Sequence, residues 1–323
     1  VTAILSIDRL NVSFRSGDAT VAAVRDVSLE VAAAECVGIV GESGSGKTTM
    51  FMAVMRLLAR GAHIDGGIHF AGVDMLGSAA HELNRVRGSR LTMIFQDPMT
   101  ALTPHLTIGR QLCEVLVTHA HMSWSGARRA ALDMLERVRI PEPERRLRQH
   151  PHELSGGMRQ RVMIGMSLLC NPSLLIADEP TSALDVTVQA QIIEILRVLR
   201  REMRMATVLI SHDLGVVAAL ADRILVMYAG RIVEGAPMRM LLQRAAHPYT
   251  AALLECMPDL AAPRVARMPS LAGTAPAPSE RESGCAFAPR CPRAQARCRH
   301  ERPLLRASGV ADHDVACHDP LGA

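Results

Sequence analysis

Within GESGSGKT, residues 41–48, the positions of Gly41, Gly46, Lys47 and Thr48 satisfy G-x-x-x-x-G-K-[ST]. That spacing suits a loop that wraps phosphate. Glycines let the backbone turn tightly enough to aim N–H groups at phosphate oxygens, and a following helix adds its positive end. Glu42, Ser43, Gly44 and Ser45 complete the loop, and Thr49 follows it. Lys47 has the reach for β- and γ-phosphates, and the Thr48 hydroxyl can ligate Mg²⁺. Lys47 is also the only lysine among 36 basic residues. A chain that uses arginine everywhere else keeps a lysine where a planar fork cannot replace a compact ammonium.

A second chemical group lies far along the chain. SLLIADEPTSALD carries Asp178 and Glu179 directly after an apolar run. Asp178 sits where a Mg²⁺-coordinating carboxylate is needed, and Glu179 can polarise an attacking water.

Both groups need buried strands to hold them. Val37–Val40 and Leu174–Ala177 are short continuous apolar runs, expected as central strands, and Thr48–Leu58 is expected as a helix. At 323 residues and 49% hydrophobic, the chain supports one large domain plus an appendage, or two domains. No uncharged apolar run approaches the roughly 18 residues of a membrane span, and the start lacks a basic, secretory-type leader, so a soluble cytoplasmic protein with reduced thiols is expected. The net charge of +4 is scattered and aromatics are 2% of residues, which argues against a nucleic-acid partner.

Further motifs make the pattern specific. LSGGMRQR, residues 154–161, resembles the signature of ATP-binding-cassette ATPases. Gln96 in MIFQDP resembles their Q-loop, SALD ending at Asp185 their D-loop, and His212 in LISHDL their switch histidine. The resemblance implies an α/β P-loop cassette at residues 1–235, with a mostly parallel core sheet, an antiparallel β layer and a helical subdomain at about 97–170. It implies an ATPase in which Glu179, His212 and Lys47 are catalytic and Thr48, Gln96 and Asp178 serve Mg²⁺. Ser155, Gly156 and Gly157 would contact ATP held by an opposite ATPase subunit, with Asp185 nearby. Two departures stand out: Met158 replaces a frequent Gln, and Ser16 stands where an aromatic often stacks on adenine, with Phe14 assigned to the core.

Only 107 residues separate Lys47 from Ser155. That is too few for the long coiled coils of DNA-maintenance relatives, and one phosphate loop excludes the two-cassette translation factors. HPYTAALLECMPDL, a Pro-rich stretch and a cysteine-bearing end resemble the D-type ATPase subunit of bacterial dipeptide/oligopeptide importers. That resemblance implies a second related ATPase subunit, two membrane permease subunits, an extracytoplasmic peptide-binding protein and a peripheral place on the cytoplasmic face of the inner membrane. Import of nickel or another solute, and a non-transport ATPase with an iron- or redox-sensing tail, are the rival functions.

The C-terminal domain, 236–323, holds Cys285, Cys291, Cys298 and Cys317, whose spacing does not match paired C-x2-C zinc knuckles. Four thiolates suit either an iron–sulfur cluster or Zn²⁺, and unligated thiols are the third reading; the resemblance implies a [4Fe–4S] cluster. A short helix is expected from Pro292, with Arg290, Arg293, Arg297 and Arg299 offsetting thiolate charge. His300, His313 and His318 are candidates to replace one ligand but rank below Cys317, since a lone His in a basic loop is more often solvated. The remaining cysteines are expected as buried apolar side chains.

Overall fold

The computed structural model describes residues 3–17, 19–97, 101–182, 184–257, 271–276 and 283–322. The chain forms two compact units: Val1–Leu5, Val31–Cys36 and His69–Leu209 in the first, Ser6–Glu30, Val37–Ile68 and Ile210–Ala323 in the second.

In the first unit, strands β6 (Leu91–Ile94), β7 (Leu174–Asp178) and β8 (Ala206–Ser211) lie in the order β8-β7-β6. β6 and β7 pair in parallel, Leu91 opposite Leu174 through Ile94 opposite Ala177. All residues of these strands are buried, which is why they read as unbroken apolar runs rather than alternating ones. The small β5 (Val73–Asp74) pairs antiparallel with the end of β4 (Ala62–Phe70).

Helices follow in the expected 97–170 region: α3 (Ile108–Ala120), α4 (Trp124–Arg137), α5 (Pro143–Arg146) and α6 (Gly156–Leu168), after α2 (Ala80–Val86). α3 and α4 pack against each other, and both meet α6. Ile108, Leu112 and Leu116 recur every four residues to bury one face of α3, while Ala127, Ala131, Met134 and Leu135 do so for α4. Thr107 and Ser123 cap these helices by accepting from Arg110 N and Gly126 N. The long α7 (Val186–Met203) follows β7.

Most of β1 (Ala3–Ser16) and β2 (Ala19–Ala32) belongs to the second unit, where they supply the antiparallel layer, in the order β2-β1-β4. Their alternation shifts by one residue midway. Leu5 and Ile7 are buried, then Leu10 and Val12, because Arg9 adopts a left-handed φ of 43° between them. Asp26, at φ 54°, does the same between Val24 and Val27 in β2.

The second unit also holds β3 (Cys36–Val40), β9 (Arg223–Tyr228), β10 (Arg231–Pro237), β11 (Arg306–Ala307) and β12 (Asp314–Val315), in the order β11-β12-β10-β9-β3. β3 and β9 are parallel, and the remaining pairs are antiparallel. Ala229 and Gly230 turn β9 into β10, both with positive φ, 48° and 82°, as a two-residue hairpin of matching twist demands. α1 (Lys47–Val54), α8 (Leu214–Leu220), α9 (Met238–Gln243) and α10 (Pro248–Glu255) complete the unit.

Several local expectations need correction. α1 ends at Val54 instead of Leu58, because Arg56 takes a left-handed φ of 52°. Phe14 is half-buried rather than in the core. Cys36 and Cys113 are buried as expected, but Cys170 and Cys256 are partly exposed. Among the described residues, no helix is long and apolar enough to cross a membrane.

Candidate functional site

The loop of residues 41–46 connects β3 to α1 within the second unit. Gly46 is the N-cap of α1 at φ 97°, and a Cβ there would lie 2.4 Å from the Ala23 carbonyl oxygen. Both backbone conformation and space therefore demand glycine. The β9–β10 hairpin supports the loop, since Gly230 N donates to Ser45 O at 3.0 Å and Arg25 N donates to Gly230 O at 2.8 Å. Lys47 is only 5% exposed. Its Nζ donates to Gly41 O and Glu42 O, each at 2.8 Å, and to Ser45 Oγ at 3.4 Å. A buried ammonium needs such oxygens, and here the loop itself supplies them. Ser43, Gly44 and Thr48 face solvent, with Thr49 half-buried. Exposed loop amides and an exposed first-turn hydroxyl are what an arriving anion needs.

The first unit brings a separate group together. Asp178 ends β7 and is 2% exposed. Glu179 follows with a left-handed φ of 47°, and its carbonyl accepts from the amide and the hydroxyl of Ser182, at 3.1 and 3.0 Å. This turn points the Glu179 carboxylate to Gln96, whose Nε2 donates to Oε2 at 3.0 Å. Ser182 Oγ also reaches Gln96 O. The sequence placed Gln96 and Glu179 in different motifs, and the fold puts them in hydrogen-bond contact.

Ser155 caps α6 by accepting from Met158 N at 3.3 Å, so Gly156 and Gly157 open the helix with partly exposed backbone. A Cβ on Gly157 would meet Val188 Cγ1 at 2.9 Å. Gln160, 3% exposed, donates to Pro180 O and so pins α6 to the turn carrying Glu179. Asp185 caps α7, accepting from Val188 N at 2.9 Å. In the second unit, His212 is exposed between β8 and α8, and neighbouring Asp213 caps α8 through Gly215 N and Val216 N.

In the tail, no helix starts at Pro292. Short 3₁₀ turns occupy Ala288–Arg290 and Ala296–Arg299, with Cys298 in the second. Cys285 N donates to Cys298 O at 2.7 Å. All four cysteines line one small cavity of about 20 Å³, together with His247, Phe287 and Asp319. That is room for little more than one water. Among the described residues, no three or more His, Cys, Asp or Glu side chains are grouped so as to hold a metal ion, which corrects the expectation of a ready-made metal-binding domain. Burial pushes the Cys285 thiol up to about 11 and raises Cys291 and Cys317.

The expected arginine offset is also different. Arg293 pairs with Asp319 at 2.8 Å, and Arg290 turns away to Glu42. Arg297 bonds His318 and lies 4.0 Å from Glu301, while Arg299 is exposed. His313 is not a spare ligand: its Nε2 lies 2.7 Å from Glu234 Oε1, with both groups buried. Glu234 also accepts from Ala246 N at 2.6 Å and His247 N at 3.0 Å. His318 lines the cavity and lies 2.9 Å from Glu301 O, and His300 is exposed. Sequence reasoning missed Tyr249 and Glu234 and gave Arg290 the wrong partner, because the partners of these three lie 207, 79 and 248 residues away.

Comparison with known proteins follows the same lines. The ABC transporter family matches residues 24–182, and the oligopeptide/dipeptide transporter C-terminal region matches residues 233–298. The oligopeptide transport ATP-binding protein OppD of Escherichia coli (strain K12) is 47% identical over 302 residues, which cover 94% of this chain and 89% of OppD. The dipeptide transport ATP-binding protein DppD of the same organism is 46% identical over 321 residues, 99% of this chain and 97% of DppD. A solved dimeric ATP-binding cassette in a post-hydrolysis state, bound to ADP and Pi, superposes with a TM-score of 0.66 at 28% identity, covering 73% of this chain and 99% of that one.

Proposed function

Because the chain belongs to the ABC transporter family, with the C-terminal region of its oligopeptide/dipeptide transporters, we propose that it hydrolyses ATP to power import of di- and oligopeptides. The observation that carries this is the joint occurrence, along nearly the whole chain, of a phosphate loop gripping Lys47 and the peptide-transporter C-terminal region. Neither nickel uptake nor a non-transport ATPase is favoured by any relative described above.

The residue roles follow from the chemistry of each group. Loop amides that follow Glu42, up to Thr49, and the Lys47 ammonium hold the ATP phosphates, with Glu42 shaping the loop. Thr48 and Asp178 offer the hard oxygen donors that suit Mg²⁺, with the Gln96 amide as a further oxygen. Mg²⁺ would neutralise charge on the β- and γ-phosphates. Glu179 takes a proton from water as its oxygen bonds the γ-phosphorus and the bridge to ADP breaks, releasing phosphate. His212 orients the γ-phosphate. Ser155, Gly156 and Gly157 present N–H groups and a hydroxyl to ATP on a second, related ATPase subunit, with Asp185 beside that contact. ATP then favours the closed pair, and its hydrolysis releases it.

In this reading residues 1–235 are the cassette and 236–323 the C-terminal domain. The partners are two membrane permease subunits and an extracytoplasmic peptide-binding protein, and the chain lies on the cytoplasmic face of the membrane. The four tail cysteines, lining one cavity, offer the donor chemistry of a [4Fe–4S] cluster, with Zn²⁺ as the rival occupant. Its role would be structural, since a small tail gains folding energy from a bound metal.

The test is ATPase activity of the transporter assembled with its permease subunits. Stimulation by peptide-loaded binding protein supports peptide import. Stimulation by nickel-loaded binding protein alone overturns the cargo, and co-purification with ribosomes or DNA instead of permeases overturns transport.

A further inference from the structure

Glu42 is held at every polar atom by residues far apart in sequence. Its N–H donates to the Tyr249 hydroxyl at 2.9 Å. Its carbonyl accepts from Lys47 Nζ at 2.8 Å. Its carboxylate receives a two-pronged grip from Arg290: Nη1 donates to Oε2 and Nη2 to Oε1, each at 2.8 Å.

Arg290 is in turn held at all three nitrogens. Nη1 also donates to the Tyr228 hydroxyl at 3.2 Å, and Nε donates to Ala272 O at 2.9 Å. The guanidinium carbon lies 5.8 Å from the Tyr228 ring centroid and 5.9 Å from that of Phe287. The Arg290 side chain is 5% exposed and that of Glu42 28%. A planar fork over aromatic faces, paired bidentately with a carboxylate, is the geometry that arginine supplies and lysine does not.

Desolvating such a pair costs about what it returns in stability, so a packed apolar contact would hold the tail equally well. What the pair adds is position. It fixes the residue next to Gly41, and the Gly41 and Glu42 carbonyls are the acceptors of the lysine ammonium. We propose that Arg290 is a positioning residue for ATP, so that a side chain of the C-terminal tail completes the phosphate loop. The inference rests on the ATPase reading. Arg290 acts through Glu42, holding the loop in one shape before nucleotide arrives, so that little binding energy goes into ordering it. Arg290 immediately precedes Cys291, and Phe287 packs against Tyr228 and Tyr249 with centroids 5.4 Å away in each case. A tail loosened from its strand therefore takes the clamp off the loop.

The experiment is steady-state ATPase kinetics of the assembled transporter, with thermal unfolding measured without nucleotide. Arg290→Ala is expected to raise KM for ATP about tenfold, the loss of one charged hydrogen-bonding pair, with kcat within about twofold of the parent. Arg290→Lys restores part of the loss, because charge without the fork makes one bond instead of two. Glu42→Gln gives a similar KM shift, and the double variant is no worse than the worse single one, as expected for two ends of one contact. An unchanged KM in Arg290→Lys and Glu42→Gln overturns the proposal, as does full additivity in the double variant. Should Arg290→Ala fail to fold, those two milder variants decide the matter. A parent transporter that hydrolyses no ATP sinks the ATPase reading itself, whereas an active parent with indifferent variants sinks only the clamp.

Discussion

Gln96 and Glu179, 83 residues apart, meet through a 3.0 Å hydrogen bond from the Gln96 amide to the Glu179 carboxylate. The contact depends on the left-handed turn at Glu179, which few non-glycine residues adopt and which is costly unless the surroundings fix it. Ser182, closing that turn from both its amide and hydroxyl, and Gln160, donating to Pro180 O, do the fixing.

That arrangement gives a clear expectation for Glu179→Gln. The amide keeps size and turn, but it cannot take a proton from water. ATP binding should persist while turnover in the assembled transporter falls by about 10²- to 10⁴-fold, the usual contribution of a general base. Single-turnover and binding assays run side by side check this, and near-normal turnover would remove Glu179 from the chemistry.

Lys47→Ala should act on binding instead. Three loop oxygens, from Gly41, Glu42 and Ser45, point at the ammonium, and removing it leaves both them and the incoming phosphates without their cation. Truncating one partner of a buried charged contact costs about 2–5 kcal/mol, so ATP affinity should drop by at least about thirtyfold. Titration with a fluorescent ATP analogue measures it, and an unchanged dissociation constant would contradict the phosphate-loop assignment.

The motifs around Lys47, Asp178 and Ser155 were legible in the sequence because their chemistry is local. A glycine at φ 97° before a helix, or a serine capping one, is written in adjacent residues. The central strands were equally plain, since CVGIV and LLIAD are buried throughout. The tail was not. β12 is two residues long and exists because β10 offers it an edge, with Glu234 opposite Val315. No hydrophobic period announces so short a strand. The arginines near the cysteines were assigned by proximity in sequence, yet Arg290 found its carboxylate 248 residues away. Contacts of that range depend on the completed fold.

Glu234 tests how the tail is fastened. It is fully buried and accepts from Ala246 N and His247 N, with His313 Nε2 2.7 Å from its Oε1. Glu234→Ala leaves two buried amides and a buried imidazole without their acceptor. The expected cost is about 3–5 kcal/mol, as for a broken buried pair, seen as a lowered midpoint in thermal unfolding. Glu234→Gln keeps an acceptor and should lose clearly less. Equal losses would mean that both carboxylate oxygens are required, since Gln keeps the volume and one acceptor.

The cysteine cavity makes the last prediction. Burial raises the Cys285, Cys291 and Cys317 thiols, and in the proposed cluster reading a bound metal would lower them again and be held by the four sulfurs as thiolates. Protein purified without oxygen should then carry iron and acid-labile sulfide in nearly equal amounts, about four of each per chain for a four-iron cluster. Cys291→Ser should lower both and expose the tail to limited proteolysis. One zinc and no sulfide would make the tail a structural zinc clip, and unchanged metal content in Cys291→Ser would take Cys291 out of the site. Metal-free protein with an equally protease-resistant tail would show that Phe287, packed among Tyr228, Tyr249 and His247, is sufficient to hold it.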